Sequence, residues 1–261
     1  MRSIFEVCTD LNYQHLKSIK LWRVRANNEG VRNLCNFILK TKTIEHLDLL
    51  DNGITALGCE FLGKVLHPFA EVPIKQLILD HNPIGTEGLM HLADGFCMNS
   101  KLEELSLNFC SIDGKGAKYV QQLLAFIDSN LKVLKMQGNL LKNTGVISIM
   151  EALEINRMLD KLVLADNQIG DGEEQQVISK FIEVLKKNDN LMKLDVRFNG
   201  FYEDEFKRLF DVMKLGYLTR LKVTEQLPKL LMDEYLSTIK KNEKFVKKLR
   251  KKRNKKKKKK K

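Results

Sequence analysis

The feature that most constrains this chain is a short apolar pattern, L-x-x-L-x-L, that recurs along most of its length. Eight copies begin at intervals of 27 to 32 residues. Their first residues are Leu16, Ile44, Ile74, Leu102, Leu131, Leu159, Leu191 and Leu218. Such a period indicates one structural unit repeated side by side, in which each unit completes its core only by stacking on its neighbours.

Each unit carries further shared positions after the apolar pattern. Eight residues from the start stand Asn52, Asn82, Cys110, Asn139, Asn167 and Asn199. Fourteen residues from the start stand Gly30, Gly58, Gly88, Gly116 and Gly145, and apolar residues then follow at steps of four. The alternating L-x-L pair predicts a short strand, and the step of four predicts an amphipathic helix. We expect the asparagine amides to bond backbone groups of a buried turn and of the next unit.

These units resemble the ribonuclease-inhibitor subclass of leucine-rich repeats, L-x-x-L-x-L-x-x-N/C-x-I/L, from residue 16 to about 224. The resemblance implies a right-handed α/β solenoid, a horseshoe with a parallel sheet on its concave face and helices on its convex face. We expect an N-terminal cap at 1–15, the solenoid at 16–227, a capping helix at 228–250 and a disordered polylysine tail at 251–261. Val24 replaces the asparagine of the first unit and Glu205 the glycine of the seventh, as terminal units often depart from the consensus.

The net charge of +12 is concentrated at one end of the chain. Residues 240–261 carry +15, so the remainder carries −3. The basic character therefore describes the partners of the tail and not the surface of the fold. The residues expected to bind a polyanion are Lys251, Lys252, Arg253, Lys255, Lys256 and Lys257.

The expected ligand of this tail is an acidic polymer, such as tubulin tails, an acidic protein or RNA, and its affinity should fall with salt. A solvated lysine run without a specific partner and a nuclear-import signal stay open as alternatives. No aromatic residue follows Phe245, which disfavours base stacking.

The sequence offers little for catalysis. Its five histidines and five cysteines form no nucleophile motif and no metal-binding spacing, and its glycines form no nucleotide-binding loop. We therefore expect no enzymatic activity, no cofactor, no metal and no small-molecule substrate. The odd cysteine count favours a reducing compartment, and no apolar run reaches the roughly 18–20 residues of a membrane span. We expect a cytoplasmic protein, with a cytoskeletal or ciliary setting by family analogy and the nucleus as the alternative.

Binding is better supported, because residues that alternate with the buried leucines face outward from the open side of the sheet. The predicted partner-binding residues of this concave face are Lys20, Trp22, Asp48, Leu50, Ile78, Asp80, Asn108, Lys135 and Arg197. The face runs from basic to acidic in the middle and basic again. For Trp22, packing beneath the N-terminal cap is the alternative.

The resulting hypothesis is a non-catalytic scaffold that binds a protein on its concave face and an acidic partner through its tail. A nuclear RNA-associated repeat protein is one alternative. A small-GTPase regulator is another, because a Ran-activating family has similar repeats, but those proteins carry an acidic tail.

Overall fold

The computed structural model describes Val7, Asp10 and residues 14–96, 98–170, 174–224 and 228–258, with the side chains of 174 and 253–258 outside the description. Within these ranges eight short strands form one parallel sheet in chain order. They are β1 (Ser18–Lys20), β2 (His46–Asp48), β3 (Gln76–Ile78), β4 (Glu104–Ser106), β5 (Val133–Lys135), β6 (Lys161–Val163), β7 (Lys193–Asp195) and β8 (Arg220–Lys222). Each strand is the L-x-L part of one predicted repeat.

A helix follows every strand. The helices are α1 (Asn27–Thr41), α2 (Ala56–Leu66), α3 (Gly85–Phe96), α4 (Ala117–Ala125), α5 (Lys142–Leu153), α6 (Glu174–Lys187), α7 (Glu203–Met213) and α8 (Lys229–Lys258). Helices α1 to α7 pack on their neighbours, and short 3-10 turns lie at Pro68–Ala70 and Gly114–Gly116. Strand, turn and helix alternate in the order that the repeat predicts, so the expected α/β solenoid is confirmed.

The core is one continuous row of apolar side chains between the sheet and the helices. The central leucines of neighbouring strands pair in register, as Leu47 with Leu77 and Leu105 with Leu134. All four are fully buried. Truncating such a side chain costs about 2–5 kcal/mol, because the stacked units cannot collapse onto the space.

The repeated glycine keeps neighbouring helices close. A Cβ on Gly88 would lie 3.1 Å from the Cys59 Sγ atom and 3.3 Å from the Ala56 Cα atom, both on the preceding helix. The glycine of α3 therefore lets it approach α2, as the sequence pattern indicated.

The repeated asparagines form the expected ladder, with one difference in direction. The Asn82 Nδ2 atom donates to the carbonyl of Leu49 at 2.8 Å and to that of Leu79 at 2.9 Å. Its Oδ1 atom accepts from the backbone N–H groups of Asn52 and Ile54. The bonds between units thus run to the preceding unit, whereas we expected the next one.

A second ladder of asparagines lies before the strands. The Asn156 Nδ2 atom donates to the Leu124 carbonyl of the preceding unit, and its Oδ1 atom accepts from the N–H group of Leu159. Asn99 and Asn188 repeat the arrangement. Each stands three residues before the first leucine of a repeat, so the spacing N-x-x-L is the signal that would have revealed this ladder.

Helix α8 covers the exposed end of the solenoid. The Asn242 side chain is fully buried and donates to the carbonyls of Met213 and Leu218, both at 2.8 Å. Tyr235 donates its hydroxyl to the Leu221 carbonyl and packs on the ring of Phe210. These contacts give the last strand the apolar cover that a further repeat would otherwise provide.

The helix also runs further than expected. We placed the end of the capping helix at residue 250 and a disordered tail after it, whereas α8 continues to Lys258. Lysine and arginine are good helix formers, and the docked first turns remove the cost of nucleation, so the helix propagates into the basic segment. Most of the predicted N-terminal cap at 1–15 lies outside the described residues.

Candidate functional site on the open face of the sheet

The side of the sheet turned away from the helices presents three rows of side chains, one residue per strand. The first row is Ser18, His46, Gln76, Glu104, Val133, Lys161, Lys193 and Arg220. The second row is Lys20, Asp48, Ile78, Ser106, Lys135, Val163, Asp195 and Lys222. The third row, two residues further on, is Trp22, Leu50, Asp80, Asn108, Gln137, Ala165, Arg197 and Thr224. All nine residues predicted for partner binding belong to the second and third rows.

The N-terminal end of this face carries an apolar anchor pair, which we define as Trp22 and Leu50. The Trp22 side chain is 56% exposed, and the Lys20 Nζ atom lies 5.9 Å from the centroid of its ring. Leu50 is half-buried at the equivalent position, two residues after β2. A large apolar ring held in solvent beside a cation is the type of group that dominates protein interfaces.

The middle of the face is polar, and its side chains hold one another. The Asp80 carboxylate accepts from the backbone and side-chain N–H groups of Asn108 at 3.0 and 2.8 Å. The Asn108 Oδ1 atom in turn accepts from the backbone N–H of Gln137 at 2.8 Å. On the rim, the rings of His81 and Phe109 stack with centroids 4.6 Å apart. This part of the face is therefore preorganised.

Glu104 links the middle of the face to its basic end. Its carboxylate pairs with the Lys135 Nζ atom at 2.6 Å and accepts from the Gln76 Nε2 atom at 2.9 Å. Burial raises the pKa of this carboxyl group, but the two hydrogen bonds and the positive charges of Lys135 and Lys161 together outweigh burial, so the pKa is lowered overall. Glu104 stays ionised and neutralises Lys135.

The C-terminal end of the face is strongly basic. The Arg197 guanidinium donates two hydrogen bonds, of 2.9 and 2.8 Å, to the Asp195 carboxylate. The Lys222 Nζ atom lies 3.5 Å from the same carboxylate. Burial raises the pKa of Asp195, but the hydrogen bonds from Arg197 and the positive charges of Arg197 and Lys222 together outweigh burial, so the pKa is lowered. Sequence reasoning recognised Arg197 but did not single out its neighbours in the first row, Lys161, Lys193 and Arg220.

Some outward positions are more covered than the strand pattern suggests. Ser106, Val163 and Ala165 are buried although their rows face away from the helices. Ser106 is covered by a longer neighbour on the same face, because the Asn108 Nδ2 atom bonds its hydroxyl. Small residues in mid-face thus form a floor between the two charged or apolar ends.

The predicted polyanion-binding residues lie at the end of α8. Lys251 and Lys252 are exposed, and Arg253, Lys255, Lys256 and Lys257 belong to the same helix. Immediately before Lys251, the Arg250 Nη2 atom pairs with the Asp160 carboxylate at 2.5 Å. This contact ties the basic helix to the loop before β6.

The described residues offer no evident catalytic constellation. Cys35, Cys59 and Cys110 are buried free thiols, and burial raises the pKa of Cys35 to about 12. No group of three histidine, cysteine or acidic side chains within the described ranges is arranged to hold a metal ion. Nor does any helix in those ranges combine the length and apolar character needed to cross a bilayer.

Comparison with known proteins agrees with this architecture. The Leucine Rich repeat family matches residues 41–63, 73–93, 99–120 and 156–172. Ribonuclease inhibitor of Mus musculus is 28% identical over 156 residues, which cover 59% of this chain and 34% of that protein. The Sus scrofa inhibitor is 24% identical over 79% of this chain and 45% of its own length. The chain carries leucine-rich repeats.

Its repeats are of the ribonuclease-inhibitor-like subclass. A third leucine-rich-repeat relative, NACHT, LRR and PYD domains-containing protein 13 of Homo sapiens, is 27% identical over 79% of this chain and 20% of that protein. The chain thus spans less than half the length of these relatives. The tropomodulin C-terminal domain of Caenorhabditis elegans has a TM-score of 0.38 and 12% identity over 95% of this chain and 98% of its own, a similarity too low to support an inference.

Proposed function

We propose that this leucine-rich-repeat protein is a non-catalytic scaffold that binds a protein partner on the open face of its sheet. The observation that carries the proposal is the anchor pair of Trp22 and Leu50 at one end of a preorganised, solvent-facing sheet. Solenoids expose extended surfaces of this kind, and an exposed aromatic ring gains the most from being covered.

The second part of the proposal assigns the basic end of α8 to an acidic polymer. Lys251 and Lys252 are exposed, and residues 240–261 carry a charge of +15 on a chain whose remainder carries −3. Helix α8 holds Lys251 and Lys252 at a fixed spacing, which suits tubulin tails or another acidic surface. We place this assembly in the cytoplasm, at a cytoskeletal or ciliary structure.

One experiment tests the division of labour between the two surfaces. The full-length chain is compared with a tail-neutral variant, in which Lys251, Lys252, Arg253, Lys255, Lys256 and Lys257 are all changed to Gln. We expect the tail-neutral variant to lose salt-sensitive cosedimentation with microtubules but to capture the same protein partner from the native cell. If it loses all binding, the sheet is not the main interface. If cosedimentation is retained, or if RNA replaces microtubules as the tail ligand, the cytoskeletal assignment is wrong.

A further inference from the structure

Three cations stand in line on neighbouring strands at the C-terminal end of the open face. Lys161 pairs in register with Lys193, and Lys193 pairs in register with Arg220. We call these three residues the basic row. Since parallel strands lie about 4.8 Å apart, the basic row spans about 10 Å.

The basic row is not neutralised within the described part of the chain. No carboxylate there forms an ion pair with Lys161, Lys193 or Arg220. The acids nearby are engaged elsewhere: Glu104 with Lys135, and Asp195 with Arg197 and Lys222. Asp160, which precedes Lys161 in the chain, is paired with Arg250 of α8.

The surroundings of Lys161 reflect this excess of positive charge. Partial burial lowers the pKa of its ammonium group, and the charges of Lys135, Lys193 and Lys222 lower it further against the opposing effect of Glu104. Like charges on adjacent strands destabilise a sheet in the absence of a ligand. An arrangement that costs stability in the free protein is expected where a bound anion removes the repulsion.

The basic row also borders a small cavity, whose size and lining restrict the kinds of anion that it can bind. This cavity of about 130 Å³ is lined by Lys161, Leu162, Lys193, Leu194, Asp195, Arg220 and Lys222. It has room for one or two carboxylate groups. The described residues of the lining include no aromatic side chain on which a base would stack, which favours a carboxylate over a nucleic acid.

We propose that the basic row binds an acidic segment of the protein partner, with two or more Asp or Glu carboxylates placed against Lys161, Lys193 and Arg220. Three or four extended residues, at roughly 3.3 Å each, match the length of the row. The inference rests on the proposed function of the open face, to which it adds the charge that the partner presents at this end. The partner would then meet Trp22 and Leu50 with apolar groups and the basic row with acids.

The test uses the full-length tail-neutral variant, which lowers the contribution of α8 to peptide binding by six positive charges and serves as the common background of all variants compared. The probe is a fluorescent oligoglutamate peptide, followed by anisotropy at low and moderate salt. The test variant is Lys161→Glu with Lys193→Glu. The matched control is Lys115→Glu with Lys186→Glu, which changes the net charge equally at two exposed lysines off the sheet.

We expect the test variant to bind oligoglutamate at least about tenfold more weakly and the control to bind nearly as before, with the difference shrinking as salt rises. Equal losses in both variants would overturn the proposal, because general charge would then explain binding. A loss for oligothymidylate alone would also overturn it and would assign the row to nucleic acid. Lys161→Gln with Lys193→Gln, expected to show a smaller loss, serves if charge reversal impairs folding. Because Trp22 and Leu50 are unchanged throughout, failure here is distinguishable from failure of the proposed scaffold role.

Discussion

Lys161 and Lys193 occupy the same register position on β6 and β7, and no carboxylate in the described part of the chain forms an ion pair with either. The strand pattern places both lysines on the open face, so neither ammonium group can escape into the core. The sheet thus holds two like charges on adjacent strands, with Arg220 following on β8. Their repulsion is a property of the free protein that can be measured without knowing the partner.

Removing one of these charges is expected to stabilise the free protein. Lys161→Gln should raise the free energy of unfolding by roughly 0.5 kcal/mol, the scale of a like-charge pair across strands, and the melting temperature by about 1–2 °C. The gain should shrink as salt screens the repulsion. Thermal denaturation should be measured for Lys161→Gln and for a control, Lys186→Gln, which removes an exposed charge on α6. An equal rise in melting temperature in both variants would show that repulsion between the sheet lysines is not the cause.

The same substitution has a defined pH dependence. The pKa of Lys161 is lowered in the folded protein from the ordinary value of a lysine, so the charged form is penalised only in the folded state. That penalty is full below the folded pKa and disappears as pH rises through it towards the unfolded value. The difference in stability between Lys161→Gln and the natural chain should therefore narrow from neutral to alkaline pH. If the difference in stability widens instead as pH rises, the charge of Lys161 is not its cause.

The asparagine ladder predicts a larger and opposite effect at Asn82. Asn82→Ala leaves the buried carbonyl of Leu49 and the N–H groups of Asn52 and Ile54 without their partner, so stability should fall by at least about 2 kcal/mol. Asn82→Cys should lose less, because the Cys110 Sγ atom lies 3.2 Å from the Leu79 carbonyl in the same role one unit on. Urea unfolding measures the stability of both variants. If Asn82→Cys loses as much stability as Asn82→Ala, a thiol does not substitute for the amide at this position.

The contacts of α8 predict where the chain tolerates truncation. A chain that ends after Ile239 loses Asn242, which bonds two carbonyls of the last repeat, and Phe245, whose ring packs on Tyr217 with centroids 5.8 Å apart. Its melting temperature should fall by several degrees. A chain that ends after Arg250 keeps these contacts and should melt close to the natural chain. If both melt alike, α8 is not a structural cap.

Much of the fold was predictable because each repeat contains two hydrophobic periodicities, one typical of a strand and one typical of a helix. The leucines of L-x-L set the strand register, and the stepped apolar residues set the helices, so Leu47, Leu77 and Leu105 align as the pattern required. The second asparagine ladder was missed because Asn99 and Asn156 stand outside that pattern. The helical state of residues 251–258 was missed because composition suggests self-repulsion, whereas the docked turns around Asn242 allow the helix to propagate.

The candidate site was predictable in position but not in pairing. Strand alternation identified the outward residues, including Trp22 and Arg197. It did not reveal which charges neutralise each other. Asp195 pairs with Arg197, whereas no carboxylate among the described residues pairs with Lys193. Ion pairing depends on side-chain reach across strands, which a single repeat does not show.

If the anchor pair binds the protein partner, removing both of its side chains must weaken that binding. The partner captured by the full-length chain is first purified and then titrated calorimetrically against two double variants. The test variant carries both Trp22→Ala and Leu50→Ala. The control carries both Leu57→Ala and Phe69→Ala, at two exposed apolar residues outside the sheet. We expect the Trp22→Ala, Leu50→Ala variant to lose about 2 kcal/mol or more of binding free energy at an unchanged melting temperature. We expect the control to bind as the natural chain does. Unchanged affinity in the test variant, or an equal loss in the control, would contradict binding by the anchor pair.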